Sequence, residues 1–253
     1  WHLLRGRVRA GAIWSVGRVN TVLILLALVP AVYGGWLSVT ALQGRALPAE
    51  RQVFDIAPPF GPGTYLVAHG GSTETVNVHL KTLDPSVPRF RNWRGQSLAL
   101  DIFRITPLGW HVDGLHPEDP ARYTTFDTPL KAPCSGRIAR AQDGLPDMPV
   151  PRMDADNKAG NFVMIDCGEA HVVLGHLKQG SLAVSEGDRV AVGDDLGRAG
   201  NSGNSSEPHL HIHAQNGPGE AGFPMAAEPM ALTINGRFLV RNDRLHVPVL
   251  GGD

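Results

Sequence analysis

Alternating histidines in the last quarter of the chain restrict its fold more than any other feature. Residues 208–215 read Pro-His-Leu-His-Ile-His-Ala-Gln, and side chains alternate between the two faces of a β-strand. His209, His211 and His213 therefore share one face of a predicted strand. Pro208 suits the first position of that strand, where no ladder donor is needed. Three imidazoles on one face favour a metal site, because neutral imidazole is a common zinc ligand; the alternative is a solvated, histidine-rich edge strand.

Glycine and proline punctuate the whole chain, with 30 glycines and 20 prolines in 253 residues. Long amphipathic helical patterns are absent after residue 45, and short β-like runs alternate with turn residues. We therefore predict an all-β body, a compact antiparallel β-sandwich or barrel preceded by one N-terminal helix. Strands are predicted at 65–69, 75–80, 97–105, 128–133, 136–141, 161–167, 170–177 and 208–215, with a closing hairpin at 237–240 and 245–249. Loops are predicted at 81–95 and 107–127. Because the formal net charge is −1, we expect no nucleic-acid partner.

The segment 19–42 carries no charged residue and is long enough to cross a bilayer. Four arginines precede the apolar core: Arg5, Arg7, Arg9 and Arg18. They favour a cytoplasmic N-terminus and a transmembrane anchor. The alternative is a cleaved signal peptide with a site at 39–41. Both interpretations place residues 43–253 outside the cytoplasm, in the cell envelope. The predicted organisation is a basic tail at 1–18, the anchor at 19–42, a linker at 43–64 and the main domain at 65–250.

The chain has two cysteines, Cys134 and Cys167, each after a short β-like run. In an exported domain such an isolated pair is typical of a disulfide. Two buried free thiols are the alternative, because sequence does not show whether the two Cα atoms come within reach.

A single carboxylate, Asp101, lies among apolar residues in the predicted strand 97–105. An unpaired buried carboxylate is costly, so a metal or a basic partner such as Arg104 must satisfy it. His176 ends another β-like run. Beside His209 it would form a pair of neutral imidazoles able to accept a proton and stabilise an oxyanion.

Three separated motifs occur in a specific order: Gly175-His-Leu, the glycine-punctuated run 184–193, and Gly200-Asn-Ser-Gly-Asn-Ser-Ser-Glu-Pro-His-Leu-His. Together they resemble the lysostaphin-type (LytM) zinc metallopeptidases of cell walls over about residues 95–216. The resemblance implies a compact antiparallel β domain of the duplicated hybrid motif type and one zinc ion. It also implies site roles: Asp101 and His211 as metal ligands, with His176 and His209 as the catalytic histidines.

One position departs from the family pattern. The family's first metal ligand commonly lies four residues before the aspartate, where this chain has Ser97. Some members resemble this chain in an upstream segment, Gly70-Gly-Ser-Thr followed by Val76-Asn-Val-His, and supply the ligand from there. The resemblance therefore predicts His79 as the third ligand. Two other histidines are lesser candidates for that role: His69 and His111.

The leading hypothesis is a zinc-dependent endopeptidase that hydrolyses peptide bonds in peptidoglycan cross-links, anchored by its N-terminal helix. His213 and Asn201 are candidates to support the site from behind the ligands, although His213 alternatively faces solvent. A second hypothesis is a catalytically inactive relative that activates another cell-wall hydrolase, which Ser97 favours. A third is an exported metal-binding domain without hydrolase activity. The peptide bond cleaved and the oligomeric state are left open by the sequence.

Overall fold

The N-terminal part of the chain contains one long apolar helix. The computed structural model describes residues 18–249, so most of the predicted basic tail lies outside the described residues. The chain divides into two units, Trp1–Thr40 and Ala41–Asp253. Helix α1 spans Arg18–Gln43, and its segment Leu23–Gln43 has a mean hydropathy of 1.9. By length and composition this helix is able to cross a membrane, and a signal sequence would have the same properties.

The second unit is almost entirely β-structure with three short 3₁₀ segments. Its strands are β1 Val53–Ile56, β2 Gly63–His69, β3 Leu100–Ile105, β4 Pro129–Lys131, β5 Gly136–Gln142, β6 Asn161–Asp166, β7 His171–Leu177, β8 Arg189–Val190, β9 Asp195–Arg198, β10 Leu210–Asn216, β11 Glu228–Ile234 and β12 Arg244–Val247. The 3₁₀ segments are Val78–Leu83, Pro88–Leu98 and Pro120–Arg122. The all-β prediction is confirmed.

Strand β10 lies in the middle of the main sheet. The strand order is β12-β2-β3-β10-β7-β6-β5-β8, and β4 and β9 form a separate pair. β10 pairs antiparallel with β7 along one edge and with β3 and then β11 along the other. Every described strand pair is antiparallel except β1 with β11. The strand that carries the alternating histidines is therefore held on both edges.

The apolar face of the central strands forms the core. Leu174 and Ile212 are partners in the β7–β10 register, and both are fully buried with Leu210. The alternation predicted for residues 208–215 is thus present, with apolar side chains on the core side. A disulfide joins Cys134 and Cys167, whose Cα atoms are 6.0 Å apart, at the end where β5 begins and β6 ends.

The strand predicted at 75–80 is wrong. Residues 78–83 form a 3₁₀ helix instead, because Asn77 acts as its N-cap and accepts a hydrogen bond from the His79 amide at 3.1 Å. An asparagine that bonds local backbone competes with ladder formation. The loop predicted at 81–95 is also wrong in part, since Pro88–Leu98 is a second 3₁₀ segment with proline in its first turn. As a result β3 begins at Leu100 rather than at Ser97.

The predicted C-terminal hairpin is wrong as well. β12 pairs with β2, because the chain turns at Asn242, where φ is +73°, and exchanges backbone hydrogen bonds with Val67. Asparagine tolerates this left-handed backbone better than most residues. β11 was not predicted: its run Pro-Met-Ala-Leu-Thr-Ile is buried on both faces and shows no alternation. Its partner β1 lies inside the predicted linker 43–64.

Candidate metal centre

Three side chains from separate elements meet at one point. Donor atoms of His79, Asp101 and His211 all lie within 4.8 Å of one another. His211 Nδ1 is 3.0 Å from Asp101 Oδ1, and His79 Nε2 is 3.4 Å from Asp101 Oδ2. All three residues are largely buried. The structure therefore brings together the three residues that the resemblance implied as ligands.

Strand register positions two of these side chains. His211 and Asp101 are direct partners in the β3–β10 ladder, so the backbone places both side chains on the same face. On the other edge of β3, the register with β2 shifts between Val67 and His69, which marks a bulge beside the site. Bulges of this kind redirect side chains next to functional sites.

His79 is positioned by the N-cap residue Asn77 and not by β-sheet pairing. Asn77 is buried, and its amide nitrogen donates to the carbonyls of Gly71 and Ala99, both at 3.1 Å. Its Oδ1 therefore faces His79, whose Nδ1 lies 3.0 Å away and donates to it. A neutral imidazole with hydrogen on Nδ1 keeps the lone pair on Nε2. That Nε2 is the atom directed at Asp101.

The local electrostatics favour an ionised carboxylate facing neutral imidazoles. Burial raises the pKa of Asp101, but the charges of His79 and His209 and a hydrogen bond from His209 outweigh it, and the net pKa lies well below the usual value. Burial lowers the pKa of His79 to about 4, despite the opposing charge of Asp101. A carboxylate with two neutral imidazoles is the donor set of a catalytic zinc site, in which three protein ligands leave one position open. The residues present fit that metal.

The two histidines with implied catalytic roles lie beside the three donors. The ring centroids of His176 and His209 are 4.8 Å apart, and His209 Nε2 is 3.4 Å from Asp101 Oδ1. Burial lowers the pKa of His176 well below its ordinary value. Burial also lowers the pKa of His209, but the charge of Asp101 and a hydrogen bond to it dominate, so the net pKa is raised.

Backbone carbonyls orient both of these rings. His176 Nδ1 donates to the Ser202 carbonyl at 2.8 Å, and His209 Nδ1 donates to the Glu207 carbonyl at 2.8 Å. A carbonyl accepts only, so each ring carries hydrogen on Nδ1. His176 Nε2 is then available as a proton acceptor, and His209 Nε2 faces Asp101 Oδ1 at 3.4 Å. His176 reaches its position through a left-handed backbone, with φ at +62°, a strained conformation that clusters at functional sites.

The two predicted supporting residues lie behind the site. His213 is fully buried, and its Nδ1 is 3.1 Å from His211 Nε2, so it does not face solvent. Asn201 accepts a hydrogen bond from Ser205 Oγ at 2.7 Å, and Ser205 Oγ lies 3.2 Å from His209 Nδ1. Sequence analysis missed Gln215, which contacts His213; the same alternation that marked the histidines extends to it.

The lesser ligand candidates lie outside the three-donor group. His69 stands opposite Asp101 in the β2–β3 ladder, and its ring is 6.0 Å from that of His79. Its Nδ1 is the buried side-chain nitrogen without a hydrogen-bond partner among residues 18–249. His111 is bound elsewhere, with Nε2 3.2 Å from Glu207 Oε2 and its ring stacked on Phe103.

Ser97 is a structural residue in this fold. It is fully buried, its Oγ donates to the Arg94 carbonyl at 2.5 Å, and it lies 2.7 Å from Thr82 Oγ1. The bond to Thr82 joins the two 3₁₀ segments, the first of which carries His79. Arg104, the alternative partner considered for Asp101, is exposed and does not contact that carboxylate.

An elongated cleft of about 540 Å³ opens over the donors. Its walls are apolar and aromatic with a few cations, and include Phe90, Trp93, Phe103, Lys81, Lys158 and Arg241. Lys158 is held over the Trp93 ring at 5.1 Å and bonds Asn204 Oδ1 at 2.9 Å. Concave sites with apolar walls and a few convergent polar groups suit an extended small ligand or peptide.

Comparisons with known proteins find similarity over part of this unit. Residues 123–221 match the family model described as Peptidase family M23. Endolysin 2638A of Staphylococcus phage 2638A is 38% identical over 69 residues, which are 27% of this chain and 14% of the endolysin. The chain therefore spans a small part of that relative.

Two solved structures are similar at low identity. Lysostaphin, an antimicrobial peptidase from Staphylococcus simulans, is 17% identical. The match covers 70% of this chain and 50% of the lysostaphin chain, with a TM-score of 0.33. The M23 metalloprotease pseudoalterin, from the deep sea, is 13% identical. The match covers 76% of this chain and 98% of the pseudoalterin chain, with a TM-score of 0.42.

Proposed function

We propose that the chain is a zinc-dependent endopeptidase that hydrolyses peptide bonds in peptidoglycan cross-links, and the match of residues 123–221 to the Peptidase family M23 model supports this. The observation that supports this most is the convergence of His79, Asp101 and His211 within 4.8 Å at the floor of the cleft. Two of these residues precede the matched region 123–221, so the donor set is an observation independent of the family match.

The metal would be held by His79 Nε2, Asp101 and His211. When bound, zinc supplies a polarised substrate carbonyl and a water of lowered pKa. The chain contributes three fixed donors and buried surroundings that keep the His79 imidazole neutral. Asn77 and the β3–β10 ladder hold the donors before the metal arrives, which reduces the cost of organising the site.

Proton transfer is the proposed role of His176 and His209. Each has Nδ1 committed to a backbone carbonyl, so each presents Nε2 as a proton acceptor when neutral and as a donor when charged. One ring would take the proton of the attacking water, and the other would donate a hydrogen bond to the oxyanion and then a proton to the leaving amine. Their centroid separation of 4.8 Å supports a shared role at one scissile bond.

The proposed location is the cell envelope, with residues 19–42 as the anchor and residues 65–250 as the peptidase domain. The segment 43–64 connects the two and adds β1 to the sheet of that domain. The apolar helix supports anchoring, and the disulfide supports an oxidising compartment. A reporter fused after Asp253 should be active only outside the cytoplasm, and the protein should stay with membranes after a carbonate wash. Release of a soluble fragment that starts near Leu42 would instead establish a signal peptide.

Zinc content and turnover test the proposed function together. We expect the full-length protein in detergent to bind one zinc per chain and to release peptides from purified peptidoglycan, with activity lost to a chelator and restored by zinc. His246→Ala is the matched control, because that histidine is exposed on β12, away from the cleft. Zinc binding without cleavage of any muropeptide would leave a metal-binding domain. Absence of both would favour the inactive, hydrolase-activating relative.

A further inference from the structure

Four buried polar side chains form a continuous row from the candidate metal site into the protein. We call Asp101, His211, His213 and Gln215 the buried polar row; the last three alternate along β10. His211 Nδ1 is 3.0 Å from Asp101 Oδ1, His211 Nε2 is 3.1 Å from His213 Nδ1, and His213 Nε2 is 3.2 Å from Gln215 Oε1. All four are buried, His213 and Gln215 completely.

The inner end of the row has one possible orientation. The Gln215 amide nitrogen donates to two backbone carbonyls, Gly217 at 2.9 Å and Pro224 at 2.8 Å. Turning the amide over would place Oε1 against both carbonyls, so Oε1 must face His213. Gly95 closes the other side: a Cβ at that position would collide with Gln215 Oε1 and the Met225 carbonyl.

This orientation determines where the hydrogens lie along the row. Gln215 Oε1 only accepts, so His213 Nε2 must carry hydrogen. His213 is fully buried and has no carboxylate among its hydrogen-bond partners, which disfavours a charged ring. A neutral ring has one N–H, so His213 Nδ1 accepts and His211 Nε2 must donate to it.

The outer end of the row then requires a positive charge. With hydrogen on Nε2, neutral His211 directs its Nδ1 lone pair at Asp101 Oδ1, 3.0 Å away. Two acceptors facing each other at this distance repel unless a cation lies with them. A bound metal supplies that charge and uses both atoms as ligands.

We propose that Gln215 is a positioning residue for the metal centre: through His213 it sets the tautomer of His211, so that Nδ1 is the metal-binding atom. The inference rests on the proposed zinc function, but the hydrogen positions are testable without metal. Partners behind a ligating histidine commonly change metal affinity by about 10- to 100-fold.

The test uses two readouts on the full chain in detergent. In metal-free, ¹⁵N-labelled protein, long-range ¹H–¹⁵N correlation spectra should show His213 with hydrogen on Nε2. Gln215→Leu should mix the His213 tautomers and weaken zinc binding by about 10- to 100-fold, measured by chelator competition. Gln215→Glu in its protonated form keeps one O–H donor for the two carbonyls and an acceptor for His213 Nε2, and should retain more affinity than Gln215→Leu.

A double-variant cycle separates positioning from general destabilisation. If Gln215 acts through His213, His213→Phe should weaken zinc binding about as much as Gln215→Leu, and the combined variant should be no worse than either one. Gln179→Leu is the control, since that amide donates to the Gly144 carbonyl at an exposed site and should leave affinity unchanged.

Three results would overturn the proposal: unchanged zinc affinity in Gln215→Leu, fully additive losses in the double variant, or hydrogen on His213 Nδ1 in the unmodified protein. If the unmodified protein shows the expected tautomers but binds no zinc, the proposed function fails while the assignment of hydrogens by Gln215 stands. Circular dichroism identifies any variant that is unfolded, and the spectra of the unmodified protein test the proposal in that case as well.

Discussion

The candidate metal centre is built from two halves that are stabilised differently. The strand half consists of β3, β7 and β10 and carries Asp101, His176 and His211. The helical half consists of the two 3₁₀ segments, Val78–Leu83 and Pro88–Leu98, and carries His79. In the strand half, many backbone hydrogen bonds of the sheet position the site residues. In the helical half, a few side-chain hydrogen bonds position His79.

The consequence is a difference in sensitivity to single substitutions. Removing one side chain from a strand leaves the backbone hydrogen bonds of the sheet in place. The strand register therefore still determines on which face of the sheet the remaining side chains lie. The helical half depends on side-chain hydrogen bonds of Asn77, Thr82 and Ser97. Asn77 bonds backbone carbonyls on either side of the 3₁₀ segments, and Thr82 bonds the His79 carbonyl and Ser97. We therefore expect positioning substitutions there to change metal affinity more than comparable substitutions in the strand half.

The largest effects should come from the ligands themselves. If both halves supply a ligand, His79→Ala should lose zinc as completely as His211→Ala, with turnover reduced by at least about 10³-fold. His176→Ala and His209→Ala should keep zinc and lose turnover by roughly 10²- to 10⁴-fold. Metal analysis and peptide release assays on purified variants measure both quantities. Normal zinc binding by His79→Ala would remove the helical half from the centre and direct attention to His69.

Removal of the disulfide should affect stability strongly and the metal little. The bridge lies outside both halves, where β5 begins and β6 ends, and closes a loop with a sequence separation of 33 residues. For a loop of that length, constraint of the unfolded chain predicts about 3–4 kcal/mol. Cys134→Ala combined with Cys167→Ala should lower the free energy of unfolding by about that amount while zinc affinity stays within about twofold. Urea denaturation and chelator competition test the two parts. Two thiols that label in the denatured, unreduced protein would show that the bridge is absent in the native compartment.

Asn77→Ala should show the opposite combination. It removes two bonds to the Gly71 and Ala99 carbonyls and the acceptor of His79 Nδ1, so we expect a loss of about 1–3 kcal/mol in unfolding free energy. Zinc affinity should also fall by about 10-fold or more, because the His79 ring is no longer oriented. Asn161→Ala is the matched variant, on β6, which pairs with β7 of the strand half. The Asn161 amide also bonds two carbonyls, so this substitution should lower stability without this loss of affinity. Equal zinc affinities in the two variants would argue against the difference between the halves.

The smallest expected effect concerns the ion pairs that connect the helical half to β11. The hydrogen bond from Arg94 lowers the pKa of Glu228 below its ordinary value of 4.5, and burial opposes this with a smaller effect. A lowered folded-state pKa means that the contribution is complete above about pH 4.5 and is lost as pH falls through the folded value. The Glu228 side chain is 59% exposed, so solvent screening limits the effect to a few tenths of a kcal/mol. Glu228→Gln should flatten the acid limb of stability against pH in urea titrations, and an unchanged slope would show that this pair contributes nothing.

Sequence patterns predicted the strand half well because they encode its geometry directly. Alternation in residues 208–215 places three histidines on one face, and the structure shows that face buried beside Asp101. The helical half was assigned the wrong secondary structure, although the resemblance selected His79. Residues 75–80 contain β-favouring valines, but the buried Asn77 amide and its cap override that preference. β11 and its partner β1 escaped prediction because neither has a periodic pattern.

By itself the sequence determined the period of each strand, the length of the apolar N-terminal segment and the residue types available to bind a metal, since these follow from local spacing and composition. Only the tertiary structure decided which histidine joins Asp101 and His211. His79 reaches them through a 3₁₀ segment whose position depends on bonds from Asn77 to the carbonyls of Gly71 and Ala99, 6 and 22 residues away in sequence. Hydrogen placement along β10 likewise depends on carbonyls beyond the strand end. In both cases a side-chain amide donates to backbone carbonyls that lie outside the strands, and no side-chain pattern in the sequence records such bonds.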